Sequence, residues 1–526
     1  MVIRIPKSRI MLKRIVYLLP ILCSTAGFAQ DTLSTTNGKL QLAPVRNPWI
    51  RTQNAAGLSV LPLSSMGQSY LGLNIEDGDL RRPQQPSVSR GFQFVSERYQ
   101  PLQQASIYGK FSFQQLWQDD IRMSDALDPY RRNPYMVGDS LGGNWKKQLY
   151  DLQLKASTPV NASRSLLLGA GLQYKVGTGA RQNDPRPQVY TNDIALHPSL
   201  IWAVSKKFSV GANGDFGFYK ENLSFKTSND LDIHYRYRLA GLGYYYRTQS
   251  VSEARYNTGK TYGASGQLQW EQENLRILLN GGYASRSEEG QEGSTSPRWF
   301  GNYKEKQYHL SLNTTLLTGR FTHQWEAKWN SYDGDGKDFH YGEGNGKDIP
   351  PLVNRDIFSS TFYNEGLFRY RWIADRFQDD YRWMLEATVA YSGMDNRYNF
   401  PKSRQTVDAN EYRLSFTRNL VFSDARNFIW GVNLALRDCF YSYNDFQPSG
   451  YQTNVMMDLL VKPDQDWLSS DIFKAGMMME YRFPLSRGSE TSLFVKAEGC
   501  IWKRVNTNHL PNANRQFASL TIGMTY

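Results

Sequence analysis

The chain has 526 residues, room for one large domain or several ordinary ones, and 14 % of them are aromatic, with 33 Tyr and 13 Trp. Mean hydropathy is nevertheless −0.57, too polar for a soluble core carrying so many rings. A membrane β-barrel reconciles the two, because its interior is wet while its outward face is apolar and girdled by aromatics. The formal charge of +12 is spread thinly over the chain and calls for no nucleic-acid partner.

The chain opens on an export signal. Arg4, Lys7, Arg9, Lys13 and Arg14 precede an apolar stretch over 15–23, and Gly27-Phe28-Ala29 supplies small residues for signal peptidase. Cleavage after Ala29 is expected, so residues 1–29 are the signal peptide. Leu22 before Cys23 is too bulky for a lipoprotein signal. Removing five basic and no acidic residues lowers the charge from +12 to +7. Beyond the signal no run of about 18 apolar residues exists, so no helix is expected to cross a membrane. Residues 30–104 read as a periplasmic lead-in or plug. They hold one hairpin, over 70–75 and 92–96, that either joins the barrel or lies inside it.

From residue 105 onward the pattern is strict alternation over about ten residues at a time, the length a tilted strand needs to cross a bilayer. Leu166, Leu168, Ala170, Leu172, Tyr174 and Val176 share one face, with Leu167, Gly169, Gly171, Gln173 and Lys175 on the other. Tyr262, Ala264, Gly266, Leu268 and Trp270 repeat the pattern, as do Phe428, Trp430, Val432, Leu434 and Leu436. Tight links at Ser205-Lys206, Gln272-Glu273-Asn274, Thr318-Gly319 and Asp424-Ala425-Arg426 alternate with long polar links over 177–192, 285–305, 331–358 and 393–410. That rhythm of short inner turns and long outer loops is the barrel rhythm. The stretch from Asp333-Gly334-Asp335-Gly336 to Gly346 reads as an external loop. Segments 235–246 and 455–461 break the parity and are read as β-arms of external loops. The expected fold is therefore all-β, a single antiparallel transmembrane barrel of roughly 16 strands (range about 14–18) over 105–526.

The last strand places Ala518, Leu520, Ile522, Met524 and Tyr526 on one face, ending on an aromatic residue. Leu520, Ile522, Met524 and Tyr526 resemble the carboxy-terminal assembly signature of Gram-negative outer-membrane barrels, which the barrel-assembly machinery recognises. This resemblance is to the architectural class, and to a barrel family from which no activity carries over. A further resemblance lies upstream. Trp49 followed by Asn54-Ala55-Ala56-Gly57-Leu58 is similar to the amino-terminal element of the long-chain fatty-acid transporter superfamily, where Asn-Pro-Ala precedes the barrel and folds into its lumen. Ala55 stands where that element has proline. The resemblance implies a segment lying inside the barrel.

Charged residues on the spanning strands fall on the inferred lumen face: Glu365, Arg369, Arg371, Arg382, Glu386, Glu411, Arg413 and Arg437. They form either a charge-selective constriction or a mixed-sign network that fills and stiffens the wall; the mixture of signs favours the network. Outward tryptophans at 202, 270, 325, 329, 372, 383 and 430 read as anchors in the headgroup layer. His309, Ser311 and Asn313 share a face, and a His-x-Ser pair also occurs in an outer-membrane phospholipase fold. There the pair faces lipid; here Tyr308, Leu310 and Leu312 take that side. No metal-ligand spacing, Walker loop or dinucleotide fingerprint is present, so no cofactor and no enzyme activity are expected.

The sequence thus implies an outer-membrane channel or uptake porin for a small solute. The alternatives are a non-transporting scaffold that binds a surface partner through its long loops, or an outer-membrane hydrolase. Its expected partners are outer-membrane lipid, the barrel-assembly machinery during biogenesis, and a solute or surface ligand. A TonB-dependent receptor, with twenty-two strands and a separate plug domain, does not fit this length comfortably.

Overall fold

The structure is a computed structural model. It describes residues 36–61, 64–227, 235–249, 254–293, 297–342, 352–375, 380–422, 426–447, 456–486, 489, 491–505 and 513–526. The expected signal peptide lies outside the described residues.

Eighteen antiparallel strands form one closed sheet. In chain order they are β1 (Met66–Gly78), β2 (Val88–Pro101), β3 (Ser106–Ile121), β5 (Gly143–Pro159), β6 (Leu166–Arg181), β7 (Gln188–Ala203) and β8 (Phe208–Ser224). There follow β11 (Ala254–Gln272), β12 (Leu275–Glu292), β13 (Arg298–Thr318), β14 (Phe321–Tyr341), β15 (Leu352–Asp375) and β16 (Tyr381–Asn399). The last five are β17 (Lys402–Val421), β18 (Asn427–Asp445), β19 (Ile472–Pro484), β20 (Ser492–Arg504) and β21 (Asn514–Thr525). Each pairs with its sequence neighbour in the sheet, and β1 closes the ring against β21, with Leu71 opposite Ile522 and Leu73 opposite Leu520. Closure leaves no open sheet edge around the lipid-facing wall, which a hydrocarbon environment demands.

The count of eighteen stands at the upper end of the expected range of about 14–18 rather than at sixteen. The hairpin over 70–75 and 92–96 is β1 and β2, so the barrel starts at Met66 rather than at residue 105. Leu71, Leu73 and Ile75 face outward from β1, and Phe94 from β2, continuing the apolar belt. That belt is short in β1 because Ser69 and Asp77 flank it on the same face, which is why the hairpin reads weakly in the sequence.

Alternation sets the two faces, since one residue in two must meet lipid and its neighbours must meet the lumen. The outward tryptophans sort by height. Trp202, Trp270, Trp325, Trp372, Trp383 and Trp430 lie toward the strand ends joined by short turns, and Trp329 lies at the opposite level, stacked on Tyr391 at 5.7 Å. Tyr174, Tyr190, Tyr262, Tyr283, Tyr308 and Tyr412 form an exposed ring at that opposite level. The end carrying the short turns also holds both ends of the barrel chain, and by the usual barrel arrangement it faces the periplasm. These features define a membrane-embedded barrel of the outer-membrane type.

The wall is uneven. β1 has 13 residues and β21 has 12, whereas β14 has 21 and β15 has 24. Several polar links expected to be loops are therefore strand. Asp333-Gly334-Asp335-Gly336 stays in the ladder of β14 up to Tyr341, because above the lipid belt a strand no longer needs apolar residues on its outer face. The segment 235–246 is, as expected, outside the barrel ladder: β9 (Tyr235–Gly241) and β10 (Tyr244–Gln249) pair with each other and with β4 (Met136–Gly138) in a small separate sheet. The segment 455–461 is not a β-arm. Met457–Val461 is a π-helical turn leading into helix α2 (Lys462–Leu468), with Pro463 in its first turn and an Asp458–Lys462 ion pair at 2.8 Å.

Candidate functional site in the barrel lumen

The lumen is occupied at both mouths. At the inner mouth lies the segment 36–60, which contains helix α1 (Thr36–Arg46) and two short 3₁₀ turns, Pro48–Arg51 and Ala55–Ser59. Asparagine starts each turn. The Asn47 side chain accepts from the Trp49 N–H at 3.2 Å, and that of Asn54 accepts from the Ala56 N–H at 3.1 Å, so helical donors that would otherwise be orphaned are satisfied. Trp49 is fully buried against Ala56, Leu167, Ile201 and Leu278, and its indole N–H donates to Gln269. Gly211 gives it room, since a Cβ there would sit 2.7 Å from the indole ring.

Polar ties fix the segment to the wall. Asn54 Nδ2 donates to the carbonyls of Leu200 and Ala212 and to Gln267, at 3.0, 3.2 and 2.9 Å. Lys155 Nζ donates to the Thr52 carbonyl at 2.9 Å, and Ser157 to that of Ala56 at 3.0 Å. Arg51 reaches Glu326 at 2.5 Å. Residues 51–56 are thus tied to inward-facing residues of the wall.

At the outer mouth the connection 122–142, the β9–β10 hairpin and α2 fold inward. Arg181 at the top of β6 meets Asp125 at 3.5 Å and also bonds Asp139. Arg132 grips Glu305 through two bonds of 2.8 and 3.2 Å, and Tyr135 donates to Asp338 at 2.5 Å. Arg82, in the connection after β1, forks onto Asp464 of α2 at 2.6 and 2.9 Å. Asp125 and Asp139 are both fully enclosed, and burial, reinforced by the neighbouring Asp139 carboxylate, holds the Asp125 carboxyl well above the usual range despite Arg181.

Between the outer cap and the wall of β15–β18 is a cavity of about 280 Å³, with Arg82, Tyr130, Tyr363, Glu365, Met394 and Arg437 among its lining residues. A second space, of about 530 Å³, runs beside α1 along β1, β2 and β19–β21. Its walls are polar, carrying Gln93, Glu97, Arg482, Lys496 and Glu498.

The predicted lumen charges divide between these features. Arg369 bridges Glu326 at 3.2 Å and Glu386 at 3.4 Å, and Arg371 meets Glu386 at 2.6 Å. Glu411 pairs with Arg413 at 2.5 Å and with Lys474 of β19 at 2.6 Å. This is the mixed-sign network across adjacent strands, not a ring of one sign. Glu365 and Arg437 line the outer cavity instead. Arg437 donates to the Leu468 carbonyl at 2.5 Å and to that of Ser470, fastening the end of α2, while the nearest polar partner of Glu365 is Asn330 at 3.5 Å. Arg382 occupies the irregularity where Tyr381 pairs with Asp375 and Trp383 with Ala374. Leu520, Ile522 and Met524 face outward as expected. Tyr526 exchanges both backbone bonds with Gly67, at 2.7 and 3.0 Å, beneath the Arg98 guanidinium.

Sequence reasoning missed Glu326, Arg132, Glu305 and the Arg82–Asp464 pair. Glu326 was within reach of the same parity rule, because it lies between outward Trp325 and Ala327; the partners supplied by connections carry no periodic signal. His309 does not pair with Ser311. Its ring Nε2 is 3.3 Å from Ser265 Oγ, and Ser311 is instead a neighbour of Asn280 at 3.4 Å. No cluster of three or more metal-ligating side chains exists among the described residues.

A family model described as a family of unknown function, DUF6850, matches residues 55–526. No curated protein sequence matches the chain. Among solved structures, it is similar to the copper transporter OprC, with 10 % identity, 87 % of this chain and 80 % of that chain covered, and a TM-score of 0.38. It is similar to BauA, the ferric preacinetobactin receptor from Acinetobacter baumannii, with 6 % identity, 88 % and 80 % covered, and a TM-score of 0.39. It is also similar to the outer membrane transporter YddB from Escherichia coli, with 8 % identity, 89 % and 81 % covered, and a TM-score of 0.39.

Proposed function

The chain belongs to the DUF6850 family, whose function is unknown, and from the geometry we propose that it is a gated uptake barrel of the outer membrane. The observation that carries this reading is a half-open cavity of about 280 Å³ beneath a cap made from outer connections, above a lumen whose inner mouth holds the segment 36–60. A solute entering from outside would meet Tyr130, Tyr363 and Met394 as apolar surface, with Glu365 available to a donor. Passage inward requires the segment 36–60 to shift. Its hydrogen bonds and its ion pair exchange for water at small net cost, so the resistance to such a movement lies in the apolar contacts of Leu42, Trp49 and Leu58 with the wall, which set the threshold of the gate. The polar space beside α1 gives the lumen a second water-lined stretch next to this segment. An open porin is not this reading, since both mouths are obstructed.

The test is conductance across a planar bilayer. The intact protein should pass no steady current, and a variant lacking residues 36–60 should pass an ohmic one. Folding of the variant is checked by its heat-modifiable migration on gels. A folded deletion variant that stays electrically silent removes the uptake reading and leaves a scaffold.

A further inference from the structure

Above the lipid belt the wall is notched where β18 meets β19. β19 starts at Ile472, opposite Arg437, so β18 is paired on both sides only over 427–437. The stretch 438–445, Asp-Cys-Phe-Tyr-Ser-Tyr-Asn-Asp, continues upward paired with β17 alone, with Phe440 bulged out of that ladder. Residues 440–445 are all exposed, with Phe440 at 55 %, Tyr441 at 49 % and Tyr443 at 44 %. On the open side the Cys439 N–H donates to the Asp471 carboxylate at 2.9 Å, and Ser442 receives a bond from Gln465 of α2. Among the described residues no other strand offers backbone groups to this edge.

Such an edge is a ready template for another strand, and proteins normally blunt it with lysine, proline or a covering element. This one has no lysine or proline and carries three exposed rings. Its backbone donors and acceptors are complementary to an extended polypeptide and to little else. Charge narrows the occupant further. Asp438 and Asp445 stand at the two ends, and neither forms an ion pair among the described residues, since Arg404, across the ladder from Asp445, turns to Asp395. A second copy of this chain is disfavoured for that reason: antiparallel self-pairing centred on the stretch sets Asp438 against Asp445 twice, like charge on like charge.

We propose that residues 438–445 are a strand-addition site for an extended segment of a different polypeptide. That segment carries apolar side chains at alternate positions and basic residues at both ends. The site lies on the outer rim and does not depend on whether the lumen conducts.

The experiment uses the full-length barrel in detergent and a fluorescein-labelled eight-residue peptide alternating valine and threonine, with lysine at each end. Fluorescence anisotropy should show saturable binding. The same peptide ended by aspartates should bind at least tenfold more weakly, and Tyr441→Pro should weaken the lysine-ended peptide at least tenfold. Because proline could disturb the β17–β18 ladder, a second variant, Asp438→Lys with Asp445→Lys, keeps the strand and should invert the preference toward the aspartate-ended peptide. Absence of saturable binding, equal binding of both peptides, or an unchanged preference in the charge-reversed variant overturns the proposal. So does a dimer of the barrel that disappears on Tyr441→Pro, since that would make a second copy the occupant.

Discussion

Arg51 of the luminal segment and Glu326 of β14 lie 2.5 Å apart, with the Glu326 side chain only 1 % exposed. The carboxylate also holds Lys328 at 2.6 Å and Arg369 at 3.2 Å, so among these partners Arg51 alone comes from outside the wall. Losing Arg51 leaves the wall neutralised but the segment less firmly held. Arg51→Ala should therefore weaken retention by about 1–2 kcal/mol, roughly tenfold in the fraction of time the segment is displaced. Single-channel recording should show brief openings absent from the unmodified protein. A trace as silent as the parent's would mean the pair does not restrain the segment.

Gly211→Val tests the same closure by steric means. A Cβ at 211 would stand 2.7 Å from the Trp49 ring and 2.8 Å from Gln267 Oε1, and neither has free space behind it. Overpacking of this kind costs about 1–3 kcal/mol, and the cheapest relief is expulsion of Trp49. Added protease should then cut within residues 36–60 faster than in the parent, while the barrel itself stays resistant.

The outer cap should respond to pH through Asp125. Its carboxyl is held above the ordinary range by burial and by Asp139, so the closed cap favours the protonated form. A raised carboxyl imposes no penalty below the free value of about 4, an increasing one as pH rises toward the native value, and a constant one beyond it. Hydrogen-exchange protection over 122–142, taken relative to the intrinsic base-catalysed rate at each pH, should accordingly be greatest in mild acid, fall through that window, and then level off. Asp125→Asn should flatten the profile and slow exchange at neutral pH.

The lipid belt yields the sharpest contrast. Leu310 is 54 % exposed, and on a soluble protein Leu310→Arg would fall within about 0.5 kcal/mol of neutral. In a bilayer the cost should be about 2–4 kcal/mol, read as a shift in the urea midpoint for refolding into lipid vesicles. A shift near zero would mean that β13 does not face hydrocarbon.

Much of this fold could be read from residue order because lipid imposes a two-residue period that no soluble surface enforces so strictly. Leu166 to Val176, Tyr262 to Trp270 and Phe428 to Leu436 each lie on the faces their alternation implies. Where hydrocarbon stops, so does the signal: Asp333 to Gly336 remain in strand with nothing apolar to betray it, and Met457–Val461 mimics alternation by chance while winding as a helical turn. The charged network was legible as a set, since Arg369, Arg371, Glu386, Glu411 and Arg413 share the inward parity. Its partners were not. Arg51, Arg82 and Arg132 arrive from connections whose path depends on the finished barrel, so no local pattern could announce Glu326, Asp464 or Glu305 as their destinations.

The ring is shut by one pairing that spans nearly the whole chain, with Gly67 and Tyr526 exchanging both backbone bonds. Every other strand can zip onto a neighbour already made, but this seam must wait until β21 is in place. The segment that fills the inner mouth runs directly into the first strand of that seam, so it has to be lying in place, or free to swing in, when the circle completes. Trimming a few residues from the carboxy-terminus would thus do more than shorten a tail: it would leave a cylinder with a slit, and its stopper hinged at the gap.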